Sequence, residues 1–360
     1  MKVFKFNSKI KIYSAILTSS QAISISMTFK TAAVTVCIPT YNQAPFLLQA
    51  VESALNQTNP EVSVLVSDDA STDDTELLMQ KYQNHPRVRY FRQPTNLGIS
   101  ANNNWLLSQP DTEFIIRLDS DDLLLPEYAQ TLINLFYKYP KAGYAHAAVN
   151  EIDSKNDLKR VRRLFGRLEY QDAESALKAG LTGYRVAANI CMFKRSVLHE
   201  MGFYIPGMNF CEDWEMSVRI ADAGYGNIYC AEPLACYRVW TDQGNVRASR
   251  KIVEINGGKY IYENTYISVY NKRNWNKDAI NRQKTTYALN HSISLTQKNF
   301  TIADKAEIKS LLYTLSNSKA LSLRIWMIES GLFYLISVKQ SLKAFAKDAI
   351  KSLYYLIKRK

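Results

Sequence analysis

No stretch of this 360-residue chain reaches the roughly 18 uninterrupted apolar residues that a membrane-spanning helix needs. The nearest candidate, 325–338, is short and carries Glu329. Cysteine is scarce and odd in number. Cys37, Cys191, Cys211, Cys230 and Cys236 show no C-x-x-C spacing, which excludes a disulfide scaffold and a zinc site and reads as reduced thiols. Glycine contributes only 13 residues, and 47% hydrophobic with 22% charged residues is a globular composition. Disordered, collagen-like and low-complexity chains are thereby excluded. Acids are the minority charge, 33 against 45 Lys and Arg, for a net charge of +12. A basic excess suggests an anionic partner. Nucleic acid is not the expected one, because the basic residues concentrate toward the C-terminus and no aromatic–basic recognition motif appears.

The first 30 residues read as an N-terminal extension without a packing pattern. Lys2, Lys5, Lys9 and Lys11 precede Ala15-Ile16-Leu17, but serines and threonine break the apolar core a secretion signal needs, and Met27 is an alternative start. From Val34 the pattern becomes regular. Val34-Thr35-Val36-Cys37-Ile38, Val62-Ser63-Val64-Leu65-Val66, Val88-Arg89-Tyr90-Phe91 and Phe114-Ile115-Ile116-Arg117-Leu118 are short β-rich runs, separated by helical spacing over 46–56, 74–82 and 98–108. Such alternation predicts an α/β fold with a Rossmann-like, mostly parallel sheet covered by helices on both faces. Between 140 and 245 strand-like runs at 144–149, 188–193 and 227–239 mix with helices at 172–179 and 213–223. Beyond 245 the chain turns Lys- and Asn-rich with helical periodicity. The expected division is an extension over 1–30, a catalytic domain over 31–245 and a helical C-terminal region over 246–360.

Parallel sheets bind ligands at the carboxyl ends of their strands, and acids gather there. Asp119-Ser120-Asp121-Asp122 closes the fourth run. It either holds a hard divalent cation or forms an acidic turn capping the helix near Pro126. Asp68-Asp69 closes the second run. One of these carboxylates can accept a hydrogen bond from a nucleobase imide, or the pair can build an Asx turn with Asp73 capping the next helix. Glu212-Asp213-Trp214-Glu215 opens a helix. There an acid either complements the helix dipole or serves as a general base.

Taken together, Val36-Cys37-Ile38-Pro39-Thr40-Tyr41-Asn42, Ser53-Ala54-Leu55-Asn56-Gln57-Thr58, Val66-Ser67-Asp68-Asp69-Ala70-Ser71-Thr72-Asp73, Asn96-Leu97-Gly98, Leu118-Asp119-Ser120-Asp121-Asp122 with Pro126, and Cys211-Glu212-Asp213-Trp214-Glu215 resemble the family 2 glycosyltransferases of the GT-A fold. The resemblance spans roughly 33–240. It implies an inverting enzyme that uses a nucleotide-diphosphate-sugar donor and a divalent metal, Mn2+ or Mg2+. Pro39, Thr40 and Tyr41 would hold the nucleoside, and Asp69, with Asp68 close by, would meet the base imide. Asp119 would lie beside the ribose and metal, Asp121 would bind the metal, and Asp213 would be the base. Uridine and thymidine share that imide, so UDP- and dTDP-sugars both fit.

Two departures stand out. Many relatives carry an arginine after the Asn-x-Gly element, where this chain has Ser100-Ala101-Asn102-Asn103-Asn104-Trp105; Arg92 and Arg117 are the candidates to compensate. A histidine that often follows the Tyr-Arg pair is here Trp240, after Tyr237-Arg238-Val239. Asp242, Arg247 and Arg250 either close over the donor phosphates or form a solvated loop. Residues 341–360 read as a basic amphipathic helix, either packed on the domain or lying on an anionic membrane. The expected acceptor is a glycan or lipid-linked saccharide of bacterial cell-surface polysaccharide synthesis, and the expected location is cytoplasmic, peripheral at the inner face of the membrane. A nucleotidyltransferase also pairs aspartates with a metal, but calls for a glycine-rich loop that Pro39-Thr40-Tyr41-Asn42-Gln43 lacks. A non-catalytic sugar-nucleotide-binding relative is the other alternative, against which Asp119, Asp121 and Asp213 stand intact.

Overall fold

The computed structural model describes residues 33–208, 210–240 and 250–332. The readings of 1–30 as an extension and of 341–360 as an amphipathic helix lie outside these residues, as do Asp242 and Arg247. The described residues all fall within one compact unit.

Ten strands form one sheet: β1 (Val34–Thr40), β2 (Val62–Asp68), β3 (Val88–Arg92), β4 (Phe114–Arg117), β5 (Leu123–Leu124), β6 (Ala142–Ile152), β7 (Leu158–Arg162), β8 (Tyr170–Gln171), β9 (Cys191–Lys194) and β10 (Gly226–Arg238). The order is β3-β2-β1-β4-β9-β6-β10-β5, with β7 on β6 and β8 on β10. Strands β1, β2, β3, β4, β6 and β10 run one way, and β5, β7, β8 and β9 run the other. The sheet is therefore mixed but mostly parallel, as the strand–helix alternation predicts. Strand β1 shows why. Val36 and Ile38 pack into the core on one face while Cys37 packs into the core on the other, all fully buried. Burial on both faces accounts for a continuous apolar run.

Helices α1 (Ala44–Leu55), α2 (Thr75–Met79), α3 (Ile99–Ser108), α4 (Tyr128–Lys138), α5 (Ala173–Gly180), α6 (Arg195–Met201) and α7 (Glu212–Asp222) cover the sheet. In α1 the buried residues are Ala44, Leu47, Ala50, Val51, Ala54 and Leu55, the stripe the spacing predicts. Strands β5, β7 and β8 and helix α6 are additions to that reading. Strand β7 is mostly exposed and reads Leu-Lys-Arg-Val-Arg, so it lacks the alternation that betrays a half-buried strand.

Strand β10 is broken by register shifts around Pro233, where a missing N–H is tolerated because the ladder is interrupted. Past the shift its end runs beside β5, Ala235 opposite Leu124 and Cys236 opposite Leu123. That pairing brings Arg238 to the acidic turn. Its N–H donates to Asp122 Oδ1 at 2.8 Å and its Nε–H to the Asp121 carbonyl at 2.8 Å. The guanidinium lies over the Phe46 ring, 4.7 Å from its centroid.

After Arg250 the chain is helical: α8 (Lys251–Tyr260), a π-helical segment Ile261–Tyr266, α9 (Ile267–Arg273), α10 (Asp278–His291), α11 (Ile302–Leu315) and α12 (Lys319–Glu329). Val218 and Ala221 of α7 share a core with Ile261, Tyr262, Tyr266 and Val269. Trp214 belongs to it. Its ring meets Tyr262 edge-on at 5.4 Å, and its indole N–H donates to the Gly180 carbonyl at 2.8 Å. Trp214 is thus a packing residue that ties α7 to α5 and to the C-terminal helices. Among the described residues no helix is long and apolar enough to cross a membrane.

Candidate active site

The parallel register aligns strand ends. Thr40 sits opposite Asp68, and the two following turns clasp each other. Asn42 is held at φ 53° and Ala70 at φ 60°. The Asn42 N–H donates to Ser71 Oγ at 2.9 Å, and Asn42 Oδ1 accepts the Thr72 N–H at 2.7 Å. Asp73 serves two helix starts, accepting the Ala44 N–H at 3.0 Å on one oxygen and the Thr75 N–H at 3.1 Å on the other. Much of the motif around 40–44 and 68–75 therefore shapes the floor on which a ligand would rest.

A cavity of about 590 Å³ opens at these strand ends. Pro39, Thr40, Tyr41, Asp69, Asp119 and Asp213 all line it. Of the residues read from the sequence, Asp68 and Asp121 do not line it. Asp68 is fully buried and saturated, Oδ1 taking the Ser71 N–H and Oδ2 taking Tyr90 O–H at 2.6 Å and Arg92 at 3.1 Å. It braces the turn, and Arg92 is committed to it. Asp69 accepts the Leu97 and Gly98 N–H groups at 2.7 and 3.0 Å, which joins β2 to the start of α3 and leaves the carboxylate edge on the cavity. The buried Thr40 hydroxyl and the buried Asn103 Oδ1, both in the wall, have no partner. Asn102 also reaches the cavity, while its amide bonds Ser67. Asparagines, and no arginine, therefore stand on the face of α3 that reaches the cavity.

Arg117 organises the part of the wall that holds Asp119 and Asp213. It is buried on β4 and divides its guanidinium between Asp119, at 2.9 Å, and both oxygens of Asp213, at 3.2 and 3.1 Å. The Tyr204 hydroxyl donates to Asp213 at 2.7 Å. Two carboxylates of distant sequence thus share one buried cation. Asp119 is nonetheless pushed up to about 6: burial raises it, Arg117 opposes, and the Asp121 and Asp213 charges raise it further. Glu212, beside Asp213 on the cavity wall, is pushed up to about 7 by burial and then by Asp213, against Arg117. The roles of Arg117 as bridge, of Tyr204 and of Glu212 went unread in the sequence. Arg117 stood there as a compensating cation, and Tyr204 lies in a stretch without a motif. Arg250 lines the cavity as well.

The acidic turn suits a hard cation. Asp119 has one oxygen committed to Arg117, and Asp121 has Oδ2 committed to the Trp240 indole N–H at 2.8 Å. Asp122 Oδ2 is buried without a partner, and its carboxyl is pushed well above the usual range by burial and by the Asp121 and Asp119 charges. Asp119 and Asp121 each keep one oxygen uncommitted, and oxygen donors of like charge are the kind a hard divalent cation takes alongside phosphate. Trp240 engages Asp121 through its indole N–H and adds no nitrogen donor to the turn. Among the described residues no cluster of three or more His, Cys, Asp or Glu side chains forms a metal cage.

The mostly parallel sheet with flanking helices and a helical C-terminal region is the GT-A glycosyltransferase fold, shared with the solved structures that the chain superposes on. Residues 35–202 match the sequence family described as glycosyl transferase family 2. The chain is 40% identical over 192 residues to a chondroitin synthase of Pasteurella multocida, covering 53% of this chain and 19% of the synthase. It is 32% identical over 171 residues to a GalNAc(5)-diNAcBac-PP-undecaprenol beta-1,3-glucosyltransferase of Campylobacter jejuni, covering 47% of this chain and 53% of the enzyme. The chain therefore spans from about a fifth to about half of the length of these relatives. Among solved structures, a mannosyltransferase from Pyrobaculum calidifontis in complex with GDP-Man and Mn2+ superposes with a TM-score of 0.54 at 17% identity, over 88% of this chain and 85% of that one.

Proposed function

We propose that this protein is an inverting glycosyltransferase. It moves a sugar from a UDP- or dTDP-sugar to a hydroxyl of a glycan or lipid-linked acceptor in bacterial cell-surface polysaccharide synthesis. The carrying observation is the Asp119–Arg117–Asp213 bridge, which lines the same cavity as Thr40 and Asp69. Thr40 and Asp69 offer unspent hydrogen-bonding capacity to a nucleoside, Asp69 as acceptor for the base imide. Pro39 and Tyr41 complete that wall, and Asp68 supports it from behind.

Asp213 is the proposed base. Tyr204 and Arg117 hold its carboxylate in one orientation, and the acceptor hydroxyl would give up its proton there as its oxygen attacks the anomeric carbon. Attack from the face opposite the leaving diphosphate inverts the carbon in one displacement. Asp119 and Asp121 would hold a divalent cation, which supplies charge neutralisation for the leaving diphosphate. Arg250, which lines the cavity, would meet the same phosphates. The Mn2+ and GDP-Man carried by the archaeal mannosyltransferase support metal use, and the undecaprenol-linked saccharide in the Campylobacter enzyme's name supports a lipid-linked acceptor. The proposed location is the cytoplasmic face of the membrane, held peripherally by the basic C-terminal segment, with the catalytic domain over 31–245.

The test is a panel of nucleotide sugars assayed for Mn2+- or Mg2+-dependent hydrolysis and binding. Selective turnover of a uridine or thymidine donor supports the reading. Binding of none of the panel, or nucleotidyl rather than glycosyl transfer, removes it.

A further inference from the structure

A second cavity, of about 280 Å³, is walled by Phe165, Arg167, Tyr170, Asp172, Ser175 and Arg185. Tyr184 lines the large cavity and its neighbour Arg185 lines the small one, so one chain segment borders both. Two guanidiniums meet in the small cavity. Burial holds Arg167 below its ordinary range, and the Arg185 charge adds to that. Arg167 donates to Asn227 Oδ1, but its Nε–H is buried without a partner. The nearby Arg160 and Arg162 share the Glu151 carboxylate. Among the described residues no such pair is made by Arg167 or Arg185. The one acid in the wall, Asp172, spends its oxygens on the Ser175 N–H and hydroxyl as the N-cap of α5. His146, within the field of Arg167, is buried and held neutral, so it adds no third positive charge.

Like charges held together without a counter-charge cost folding free energy, more so with a buried N–H left unmade. Guanidinium forks match the oxygens of phosphate. We propose that this cavity binds a phosphate group between Arg167 and Arg185. The volume suits a phosphate with a short attachment. Leu168, 73% exposed, and Phe165, 39% exposed, border it, an apolar rim compatible with a phosphate carried on a hydrophobic group. The same chemistry serves a soluble phosphate ester.

The full-length protein, with excess UDP present to fill the large cavity, is titrated with inorganic pyrophosphate by calorimetry. In parallel it is sedimented with phosphatidylcholine vesicles with and without phosphatidic acid. Arg167→Gln and Arg185→Gln should each weaken binding by at least about tenfold, the scale of one charged hydrogen bond, and Arg185→Lys should fall between. Arg185 is exposed, so its variants test the site without disturbing the core. Pyrophosphate binding that Arg185→Gln weakens upholds the site for a soluble phosphate. Binding only to phosphatidic-acid vesicles, weakened by Arg185→Gln, upholds it for a lipid phosphate. Absence of binding in both arms, or binding that Arg185→Gln leaves unchanged, overturns the proposal. Neither arm requires turnover, so failure here is separable from failure of the glycosyltransferase reading.

Discussion

Replacing Asp213 by Asn retains the shape of the side chain and removes its charge. The structure sets what else follows. Arg117 keeps its 2.9 Å bond to Asp119, so the buried guanidinium is not stranded. The Tyr204 hydroxyl can still donate to the amide oxygen. The stability loss should therefore stay at about 1–3 kcal/mol, the cost of weakening hydrogen bonds to a charged group, read by urea unfolding. Loss of a general base costs about 10²- to 10⁴-fold in kcat, with donor binding retained. Glu212 provides the internal check. Part of its rise to about 7 comes from the Asp213 charge. In Asp213→Asn that charge is gone, the ionised form of Glu212 is favoured, and any limb it contributes to the pH–rate profile should move to lower pH. The assay is initial-rate glycosyl transfer across pH, with nucleotide-sugar binding measured separately by calorimetry. Near-normal kcat in Asp213→Asn beside a hundredfold or greater loss in Glu212→Gln, on the same general-base scale, would refute the assignment and hand the proton to Glu212.

Asp121→Ala should abolish Mn2+- or Mg2+-dependent turnover with the fold intact by circular dichroism; full activity in this variant, or in excess chelator, contradicts the metal assignment. His146 is fully buried, and burial pushes its imidazole from 6.5 down to about 3. The unfolded chain takes up that proton first, so stability present above pH 6.5 is lost as pH falls, at about 1.4 kcal/mol per unit; unfolding curves of His146→Phe should fall less steeply than wild type between pH 6.5 and 5. Gly257 on α8 lies against the entrance to α7, where a Cβ would come within 2.5 Å of the Phe210 carbonyl oxygen and 3.3 Å of Cys211 Sγ. Gly257→Ala should cost about 1–3 kcal/mol by overpacking and lower kcat/KM through displacement of Glu212 and Asp213, whereas unchanged kinetics would show that α8 does not position them.

What the sequence discloses is what local chemistry controls. The α/β alternation, the stripe on α1 and the helical character after 250 follow from periodicity; in the cavity wall Asp69, Asp119 and Asp213 follow from acids at strand ends and a helix start, and Pro39, Thr40 and Tyr41 from the family resemblance. Asp68 and Asp69 show where that kind of reading stops. They are adjacent, identical and equally suited to a nucleobase, yet alternation along a strand end turns one to the cavity and the other into a bond with Tyr90 and Arg92. Arg117 shows the complementary limit. A lone arginine in an apolar strand carries no local signal for its task, because its partners sit two residues away and ninety-six residues away. The sheet order creates the second contact by bringing the start of α7 to the end of β4. Trp240 is similar: its bond to Asp121 spans 119 residues and depends on the break at Pro233 that steers β10 toward β5. The motifs specify the chemical groups, and the long-range pairings decide which of them remain free to act. Asp119 and Asp213 are held by one buried cation, so the proposed metal ligand and the proposed base are electrostatically linked through Arg117. A change of charge at Asp119, from a bound cation or a proton, must therefore be felt at Asp213 across a single guanidinium.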